Sequence, residues 1–333
     1  EEQEAAMENA ILADKQLEDW TSWGWPIVRT INFTVQLPRG PKAEGPWNEV
    51  SILDKATKKV IREAQNSVTY ECTDTKPHLN KKCSGKITIP VFSAYSPAGN
   101  ATGQPVFINY GTRKDLLFFK NAKDLCSSDI ILIARHGRNS YGSKVMQVIT
   151  RCISFGSFSI PGGMLIYHDP TDNPSDTKMF PEGVGLPPDA ISYQDSRILT
   201  NDSSRVAPEY PSIKGVYEIL PDQLKDYLSP IPVQPISFND AKFLGSHMKG
   251  SPIPNQWKPA SFDFVGTEGD SLVKMNVRNE MDSEPSTVVD AIGIMPGEGP
   301  EADKYIVLGN QRDAWVQGVS DPHSGTVVLQ GVA

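Results

Sequence analysis

The sequence predicts an α/β protein, and three observations support this class. Short β-branched runs bounded by turn residues recur between Ser67 and Asp169, which is typical of strands. Segments with apolar residues at helical spacing lie beside these runs. The 333 residues also exceed the length of most single cores, which seldom grow past roughly 250–300 residues. We therefore expect two core-forming units built from strands and helices.

The N-terminal forty residues predict one helix followed by one strand. Residues 1–20 place apolar side chains at roughly a helical period, with acidic residues in the first turn. After Gly24, the stretch PIVRTINFTVQLP is β-branched and roughly alternating, and it is closed by Pro38 and Gly40. The chain is therefore expected to open with a helix–strand pair.

The middle of the chain predicts a mixed α/β unit with a crossover connection. The runs KITIPVF, QPVFINY, SDIILIARHG and GGMLIYHD have the character of strands. Between the last two, the apolar residues of SKVMQVITRCISFG repeat at helical spacing, which predicts a strand–helix–strand unit. Residues 169–210 are rich in Pro, Asp, Ser and Gly, so a long surface connection follows.

The last third predicts a capped helix and a hairpin. Ser237, with Asp240 three residues later and an apolar run beyond it, resembles a capping box. The β-rich runs STVVDAIGIM and KYIVLG are joined by the turn PGEGPEAD, which favours an antiparallel hairpin.

Charge and hydropathy exclude two classes of partner. The net charge is -8 and the pI is near 5.2, whereas nucleic acids and anionic membranes attract a basic face. No stretch approaches the roughly 18–20 apolar residues of a membrane helix, and the N-terminus lacks the regions of a signal peptide. We expect neither nucleic-acid binding nor a membrane segment within this chain; any anchor would lie outside it.

Cysteines and glycosylation sequons both favour an extracellular or lumenal setting. Cys72 and Cys83 flank a turn-like segment and are disulfide candidates, with four buried thiols as the alternative. The pairing of Cys126 and Cys152 stays open at this point. Glycosylation is expected where Asn-x-Ser/Thr occurs. The three sequons are at Asn32, Asn100 and Asn201.

Two aspartates near the C-terminal end are candidates for a site or for local structure. Asp313 and Asp321 follow a predicted strand, and loops that leave strand ends are where α/β folds place their chemistry. The structural alternative is that Asp321 caps a helix with Pro322 at its first position, while Asp313 pairs with Arg312. The residue pattern alone permits both.

The segment YIVLGNQRDAWVQGVSDPHSGT resembles a motif of the glutamate carboxypeptidase II and transferrin receptor family. That motif reads Gly, any residue, His, Arg, Asp, Ser or Ala, Trp, and then Asp-Pro-x-Ser-Gly, and the matching positions agree in order and spacing. Further segments resemble family counterparts in the same order along essentially the whole chain. They are LEDWTSWGW, IILIARHGRNSYGSK, GGMLIYHDPTD, PEYP and IPVQPIS.

The resemblance implies a domain organisation. The family has a zinc-exopeptidase α/β domain interrupted by an inserted protease-associated apical domain, followed by a helical dimerisation domain. By this resemblance, residues 1–40 are the N-terminal arm of the peptidase-like domain. Residues 41–286 are the apical domain, a mixed α/β unit, and residues 287–333 begin the second arm. The peptidase-like domain is therefore expected to be partial.

The resemblance also implies a damaged metal site. In active members the motif's histidine binds one zinc, the aspartate two residues later orients it, and the aspartate ten residues after the histidine bridges both metals. The matching positions here are Gln311, Asp313 and Asp321. A glutamine amide is a weak zinc ligand beside an imidazole, so the two aspartates are expected to be remnants. His323 is an alternative ligand, but the first turn of a helix favours a surface role for it.

A second departure concerns the substrate clamp. The family's acidic-dipeptide peptidases grip the terminal glutamate carboxylate with an arginine of the apical domain. Alignment on Arg135 and Lys144 puts Tyr141 at that position. The bidentate clamp is therefore expected to be absent unless Arg138 replaces it, and a solvated loop position is the favoured interpretation for Arg138.

These departures favour a non-catalytic ectodomain fragment, similar to the transferrin receptor branch, on the extracellular or lumenal side of a membrane-anchored protein. No cofactor is expected, and the partner is a protein or a second copy bound through regions outside this chain. Active members need a glutamate base and three more zinc ligands downstream of the motif. The alternative is therefore a zinc exopeptidase whose remaining ligands lie beyond Ala333. A spacer without a ligand is a third interpretation.

Overall fold

Among the described residues, the strands of this computed structural model form a seven-stranded mixed sheet and three two-stranded sheets. The structure describes residues 2–42, 44–72, 85–174, 177–198, 211–216, 228–281, 285–315, 318 and 320–333. The helices are α1 (Glu2–Ser22), α2 (Arg113–Leu116), α3 (Tyr141–Ser154), α4 (Phe238–Gly245) and α5 (His323–Val332). The strands are β1 (Ile27–Val35), β2 (Pro38–Gly40), β3 (Glu49–Asp54), β4 (Val60–Glu63), β5 (Ser67–Cys72), β6 (Gly85–Pro90), β7 (Gly99–Phe107), β8 (Ile130–Arg135), β9 (Gly163–Tyr167), β10 (Val233–Pro235), β11 (Ser271–Val277), β12 (Glu280–Met281) and β13 (Ser286–Ile294).

The large sheet confirms the predicted α/β class and its crossover. Its order is β10-β9-β8-β7-β11-β3-β4, with the four strands β7 to β10 parallel and the remaining neighbours antiparallel. Helix α3 connects the parallel strands β8 and β9. Every residue of β8 and β9 is buried, because parallel strands are covered on both faces. Continuous apolar runs such as IILIA are the sequence signal of such strands.

The core lies around the parallel half of this sheet. Phe107 at the end of β7 stacks on Phe262 with ring centroids 4.3 Å apart, and Trp257 meets Phe107 edge-on at 5.7 Å. Helix α3 buries Val145 and Val148 against the same cluster. Because Val145 and Val148 are held in this core, the first residue of α3, Tyr141, is also placed against the sheet.

A disulfide joins Cys126 to Cys152, which settles the pairing that the sequence left open. The bond links the segment after α2 to the last turn of α3, and both residues are buried. The predicted Cys72–Cys83 loop stays a prediction, because Cys72 ends β5 and Cys83 lies outside the described residues.

The predicted hairpin between STVVDAIGIM and KYIVLG is wrong. Strand β13 instead pairs antiparallel with β1 over nine residues, from Ile27 opposite Ile294 to Val35 opposite Ser286, and residues 304–309 form no strand. Alternation marks both runs as β-forming but does not specify a partner. β1 matches the whole length of β13, whereas KYIVLG offers only six residues.

The N-terminal helix–strand prediction is confirmed. α1 packs on β13 and β1, with Trp20 buried above Gly293, where an added Cβ would lie 3.0 Å from the indole. The β1–β13 ladder joins residues 27–35 to residues 286–294, whereas every strand of the large sheet lies between residues 49 and 277. The division into 1–40, 41–286 and 287–333 stays a prediction that this arrangement accommodates.

The predicted cap of α4 is confirmed. The Ser237 hydroxyl oxygen accepts a hydrogen bond from the Asp240 backbone N–H at 3.1 Å and donates to the Asp240 carboxylate at 2.7 Å. The same carboxylate accepts from Arg62 Nε at 2.8 Å and from the Gln65 backbone N–H at 3.0 Å. The cap of α4 therefore also ties down the edge strand β4.

Two further sequence predictions concern long segments. Over the described part of residues 169–210, the chain runs as a loop with a single 3₁₀ turn at Pro170–Asp172, as predicted. Among the described residues, no helix is both long and apolar enough to cross a bilayer.

The Cys126–Cys152 bond should contribute measurably to stability. Replacing both residues by alanine is expected to lower the free energy of unfolding by about 3 kcal/mol, because a cross-link spanning a few tens of residues restricts the unfolded chain by about that amount. Urea denaturation followed by circular dichroism measures the change. Reduced wild-type protein should reproduce it; a loss below about 1 kcal/mol in both samples would contradict the structural role.

The run Tyr305–Leu308 should promote self-association. These four side chains are between 60% and 91% exposed, and exposed β-branched runs template pairing with other chains. Ile306→Lys is expected to reduce association in sedimentation velocity at rising concentration, without lowering Tm. Val184→Lys, at another almost fully exposed position, is the matched control. Equal association of both variants would refute the assignment.

Candidate functional site

The structure brings Gln311 and Asp321 into direct contact. The Gln311 side-chain Nε2 donates to Asp321 Oδ1 at 3.0 Å and also lies 3.4 Å from the Asp313 carbonyl oxygen. The positions matching two family metal ligands are therefore joined by an amide-to-carboxylate hydrogen bond. Asp313 joins this group through its backbone, and its side chain is exposed.

The predicted N-cap role of Asp321 is wrong by one residue. Pro322 occupies the N-cap position of α5, and no side chain caps that helix end. The Asp321 carboxylate accepts from Gln311 instead. Sequence reasoning missed Asn310, whose Nδ2 donates to the Pro322 carbonyl at 3.1 Å and to Thr326 Oγ1 at 2.8 Å. Asn310 therefore anchors the first turn of α5 to the motif.

The predicted Arg312–Asp313 pair does not form. The Arg312 guanidinium donates to the Val289 carbonyl on β13. Burial lowers the pKa of Arg312, and the negative charge of Asp290 partly offsets that shift. Arg312 thus attaches the motif to β13. This bond explains why the Arg312 side chain does not pair with Asp313.

The residues present do not fit a zinc ion. Within the described part of the chain, no group of three or more His, Cys, Asp or Glu side chains is placed to hold a metal. His323 is exposed at the start of α5, in agreement with a surface role. The Gln311 N–H already engages Asp321 Oδ1, and an N–H donor cannot act as a zinc ligand.

Trp315 of the motif contacts the middle of the chain. Its indole stacks on Tyr193 with centroids 6.3 Å apart and meets Phe92 edge-on at 6.3 Å. Burial raises the pKa of Tyr193 to about 12, and its hydroxyl donates to the Pro90 carbonyl. Phe92 and Tyr193 were not predicted; only the tryptophan of the motif signalled an aromatic contact.

Tyr141, at the clamp position, is a core residue. It is fully buried at the first position of α3, and its hydroxyl donates to the Ser192 carbonyl at 2.7 Å and lies 3.2 Å from His136 Nδ1. Burial raises the pKa of Tyr141 well above its usual value, so the hydroxyl stays protonated. The side chain holds the 192 loop against α3.

The arginine and lysine around the clamp position are also engaged internally. Buried Arg135 donates to Asp172 Oδ1 at 2.7 Å and to the Trp257 carbonyl at 2.9 Å. Lys144 Nζ donates to the carbonyls of Tyr110 at 2.8 Å and Gly137 at 2.6 Å, and burial lowers the pKa of this amine to about 8. These cations bind the protein's own oxygens.

Arg138 is the exposed residue of the loop between β8 and α3. Its backbone is left-handed, with φ 63°, and its guanidinium lies 5.4 Å from the Tyr110 ring. This position agrees with the expected solvated loop residue.

The predicted glycosylation sites stay predictions. Asn32 on β1 and Asn100 on β7 are both exposed, as attachment requires, and Asn201 lies outside the described residues. A polar cleft of about 370 Å³ lies elsewhere, beside β4, where Arg62, Gln65 and Asp240 line it. No predicted site residue lines that cleft.

Sequence comparison identifies relatives along almost the whole chain. The chain is 30% identical over 335 aligned residues to the glutamate carboxypeptidase 2 homolog of Caenorhabditis elegans, covering 94% of this chain and 39% of that protein. It is 33% identical over 240 residues to transferrin receptor protein 2 of Rattus norvegicus, covering 72% of this chain and 28% of that protein. The chain belongs to the glutamate carboxypeptidase and transferrin receptor family. It spans less than half the length of these relatives.

Comparisons with family models and with solved structures do not extend this assignment. No family model matches the chain. Among solved structures, the aminopeptidase from Aneurinibacillus sp. strain AM-1 superposes with a TM-score of 0.40 and 12% identity, covering 88% of this chain and 44% of that one. The family assignment therefore depends on the sequence relatives.

Tyr141 should tolerate phenylalanine and reject arginine. Tyr141→Phe is expected to cost about 1 kcal/mol, because the Ser192 carbonyl loses its hydrogen bond. Tyr141→Arg, the family's clamp residue, should cost about 3 kcal/mol or more, because it buries an unpaired charge. Thermal and urea unfolding measure both. If the arginine variant were as stable as wild type, the position would be open to solvent and Tyr141 would not be a core residue.

Proposed function

We propose that this chain is a non-catalytic ectodomain region of the family and that it acts through contacts with proteins. The observation that carries the proposal is the 3.0 Å hydrogen bond from Gln311 Nε2 to Asp321 Oδ1. In this arrangement the residue at the lost ligand position bonds directly to the carboxylate at the bridging position. The carboxylate is compensated by an N–H donor, so it does not need a cation.

The clamp position supports the same proposal. A residue that grips a substrate carboxylate must present charged donors to solvent or to a cleft. Tyr141 is buried and uncharged. Arg135 and Lys144 donate their hydrogen bonds to oxygens within the protein. The region that would recognise an acidic substrate is thus organised as a core.

The proposed location is the extracellular or lumenal side of a membrane-anchored protein, with the anchor in a segment outside this chain. The buried Cys126–Cys152 disulfide supports an oxidising compartment. The exposed Asn32 and Asn100 sequons are accessible to glycosylation there. No zinc or other cofactor is proposed.

A zinc exopeptidase is the second candidate. It is favoured by the retention of Asp313 and Asp321 and by a relative named as a glutamate carboxypeptidase homologue. In that case the remaining ligands and the general base would lie beyond Ala333.

Zinc binding and hydrolysis separate the two candidates. The chain is expected to carry no zinc in whole-number ratio by elemental analysis and to leave N-acylated acidic dipeptides intact. Gln311→His should tighten zinc binding by about tenfold or more in calorimetry, because an imidazole is a far better ligand than an amide. Gln311→Asn is the matched control and should bind like wild type.

Stoichiometric zinc in wild-type protein would contradict the proposal that the chain is non-catalytic. Zinc binding that did not respond to Gln311→His would mean that the motif is not the remnant of a metal site.

A further inference from the structure

Two half-buried histidines lie side by side where the loops after β8 and β9 meet. His136 follows the last residue of β8, His168 follows the last residue of β9, and their ring centroids are 6.4 Å apart. The His136 backbone N–H donates to the Tyr167 carbonyl at 2.7 Å, so the main chain also joins the two loops. We call this contact between His136 and His168 the histidine junction. Neither residue takes part in the function proposed above.

In its neutral form, each ring holds a neighbouring side chain. The single hydroxyl proton of Tyr141 is donated to the Ser192 carbonyl, so the His136 Nδ1–H is the donor across the 3.2 Å to the Tyr141 oxygen. His168 Nε2 lies 3.0 Å from Asn173 Oδ1, which can only accept, so this nitrogen is the donor. A neutral imidazole has one N–H. Both histidines therefore make these contacts without a positive charge.

Positive charge predominates around His136. The titratable and charged side chains that face it are Tyr141 and Lys144 of α3 and His168 and Asp172 of the segment after β9. Arg135 and Arg138 lie within two residues of it in the sequence. The Asp172 carboxylate already accepts a hydrogen bond from Arg135 at 2.7 Å. A proton on His136 therefore meets more cations than carboxylates, and the nearby carboxylate is already engaged.

Acid weakens the contacts of His136 for this reason. Burial lowers the pKa of His136, His168 and Lys144 lower it further, and Asp172 offsets part of the shift. A histidine in an unfolded chain titrates near pH 6.5, so below that pH the opened chain binds more protons than the folded one. The stability that His136 contributes is fully present above about pH 6.5 and is lost as the pH falls through its lower folded-state pKa.

The histidine junction is linked to the C-terminal motif through side chains. Tyr141 connects His136 to the Ser192 carbonyl, and the next residue, Tyr193, stacks on Trp315 of the motif with centroids 6.3 Å apart. A displacement of His136 removes one contact of the residue that holds this loop. The state of the junction therefore bears on more than the two histidines.

We propose that the histidine junction is an acid-sensitive contact that holds the loops after β8 and β9 together at neutral pH and releases them in mildly acidic solution. At neutral pH the two uncharged rings lie against each other. When both are protonated, two like charges 6.4 Å apart repel each other beside the Lys144 ammonium, and the loops separate. This proposal goes beyond the non-catalytic role and does not depend on it.

Hydrogen exchange measured by mass spectrometry on the whole chain tests the proposal. The amides of His136 and Asp172 are hydrogen-bonded to the Tyr167 and Asp169 carbonyls, so they should be protected at about pH 7.5. At about pH 5.5, after correction for the intrinsic pH dependence of exchange, residues 134–140 and 168–174 should open about tenfold more often, because two like charges this close repel strongly in partly buried surroundings. Protection of β3 should not change.

Two variants remove the titrating groups and keep the hydrogen-bond donors. His136→Asn places an amide N–H near the Nδ1 position, and His168→Gln places one near the Nε2 position, so donors to Tyr141 and Asn173 remain. Each variant should open less than about twofold more at the lower pH. The matched control, His247→Asn, replaces a half-buried histidine just beyond α4 and should respond like wild type. Circular dichroism confirms that each variant is folded.

The double variant shows whether the two histidines act as a pair. Because either single change removes the repulsion, His136→Asn combined with His168→Gln should behave like each single variant. The proposal is overturned if wild-type protection is the same at both pH values, or if His136→Asn opens in acid as wild type does. It is also overturned if each single variant loses half of the acid response and the double variant loses all of it. The zinc and hydrolysis assays do not involve these histidines, so failure here leaves the non-catalytic proposal to be decided by those assays.

Discussion

The buried guanidinium of Arg135 is the constraint on which the loops at the carboxyl ends of the parallel strands depend. It donates to Thr171 Oγ1 at 2.6 Å, to Asp172 and to the Trp257 carbonyl, and it lies 4.4 Å from the Tyr110 ring. These contacts join the ends of β7, β8 and β9 to the segment before β11. A buried charge costs several kcal/mol when its partners are removed, so this network sets the positions of its loops.

The same constraint explains why the clamp position is structural. With the loops after β8 and β9 held by Arg135, α3 begins close to residues 192–198, and Gly142 has no room for a side chain because a Cβ would lie 1.6 Å from the Arg197 carbonyl oxygen. Tyr141, one residue earlier, fits beneath the Ser192 carbonyl and fills the space. An arginine there would be desolvated without a substrate. The motif shows a similar change, because Gln311, at a position where active members have a zinc ligand, donates a hydrogen bond to Asp321 instead.

The parts of the fold that could be predicted from the sequence are those with local signals. Continuous apolar runs predicted β8 and β9, helical spacing predicted α3, and Ser237 with Asp240 predicted the cap of α4. Strand partners could not be predicted, because alternation in β13 is equally compatible with β1 and with the KYIVLG run. The Cys126–Cys152 pair could not be assigned either, since four cysteines allow three full pairings.

Site contacts were predictable only in part. The family motif placed Gln311 and Asp321 at matching ligand positions, which predicts that the two residues lie close together. It gave no indication that the amide would bond directly to the carboxylate, or that Pro322 would displace Asp321 from the N-cap. The burial of Tyr141 could not be predicted from the sequence either, because a tyrosine that begins a helix can face either solvent or core.

The most direct test of the central claim is anomalous X-ray scattering at the zinc absorption edge, from crystals of the chain grown with zinc. No anomalous peak is expected beside Asp321, and the Gln311 amide should lie within hydrogen-bonding distance of its carboxylate. A zinc peak bound to Asp321, with the Gln311 side chain turned away, would contradict it.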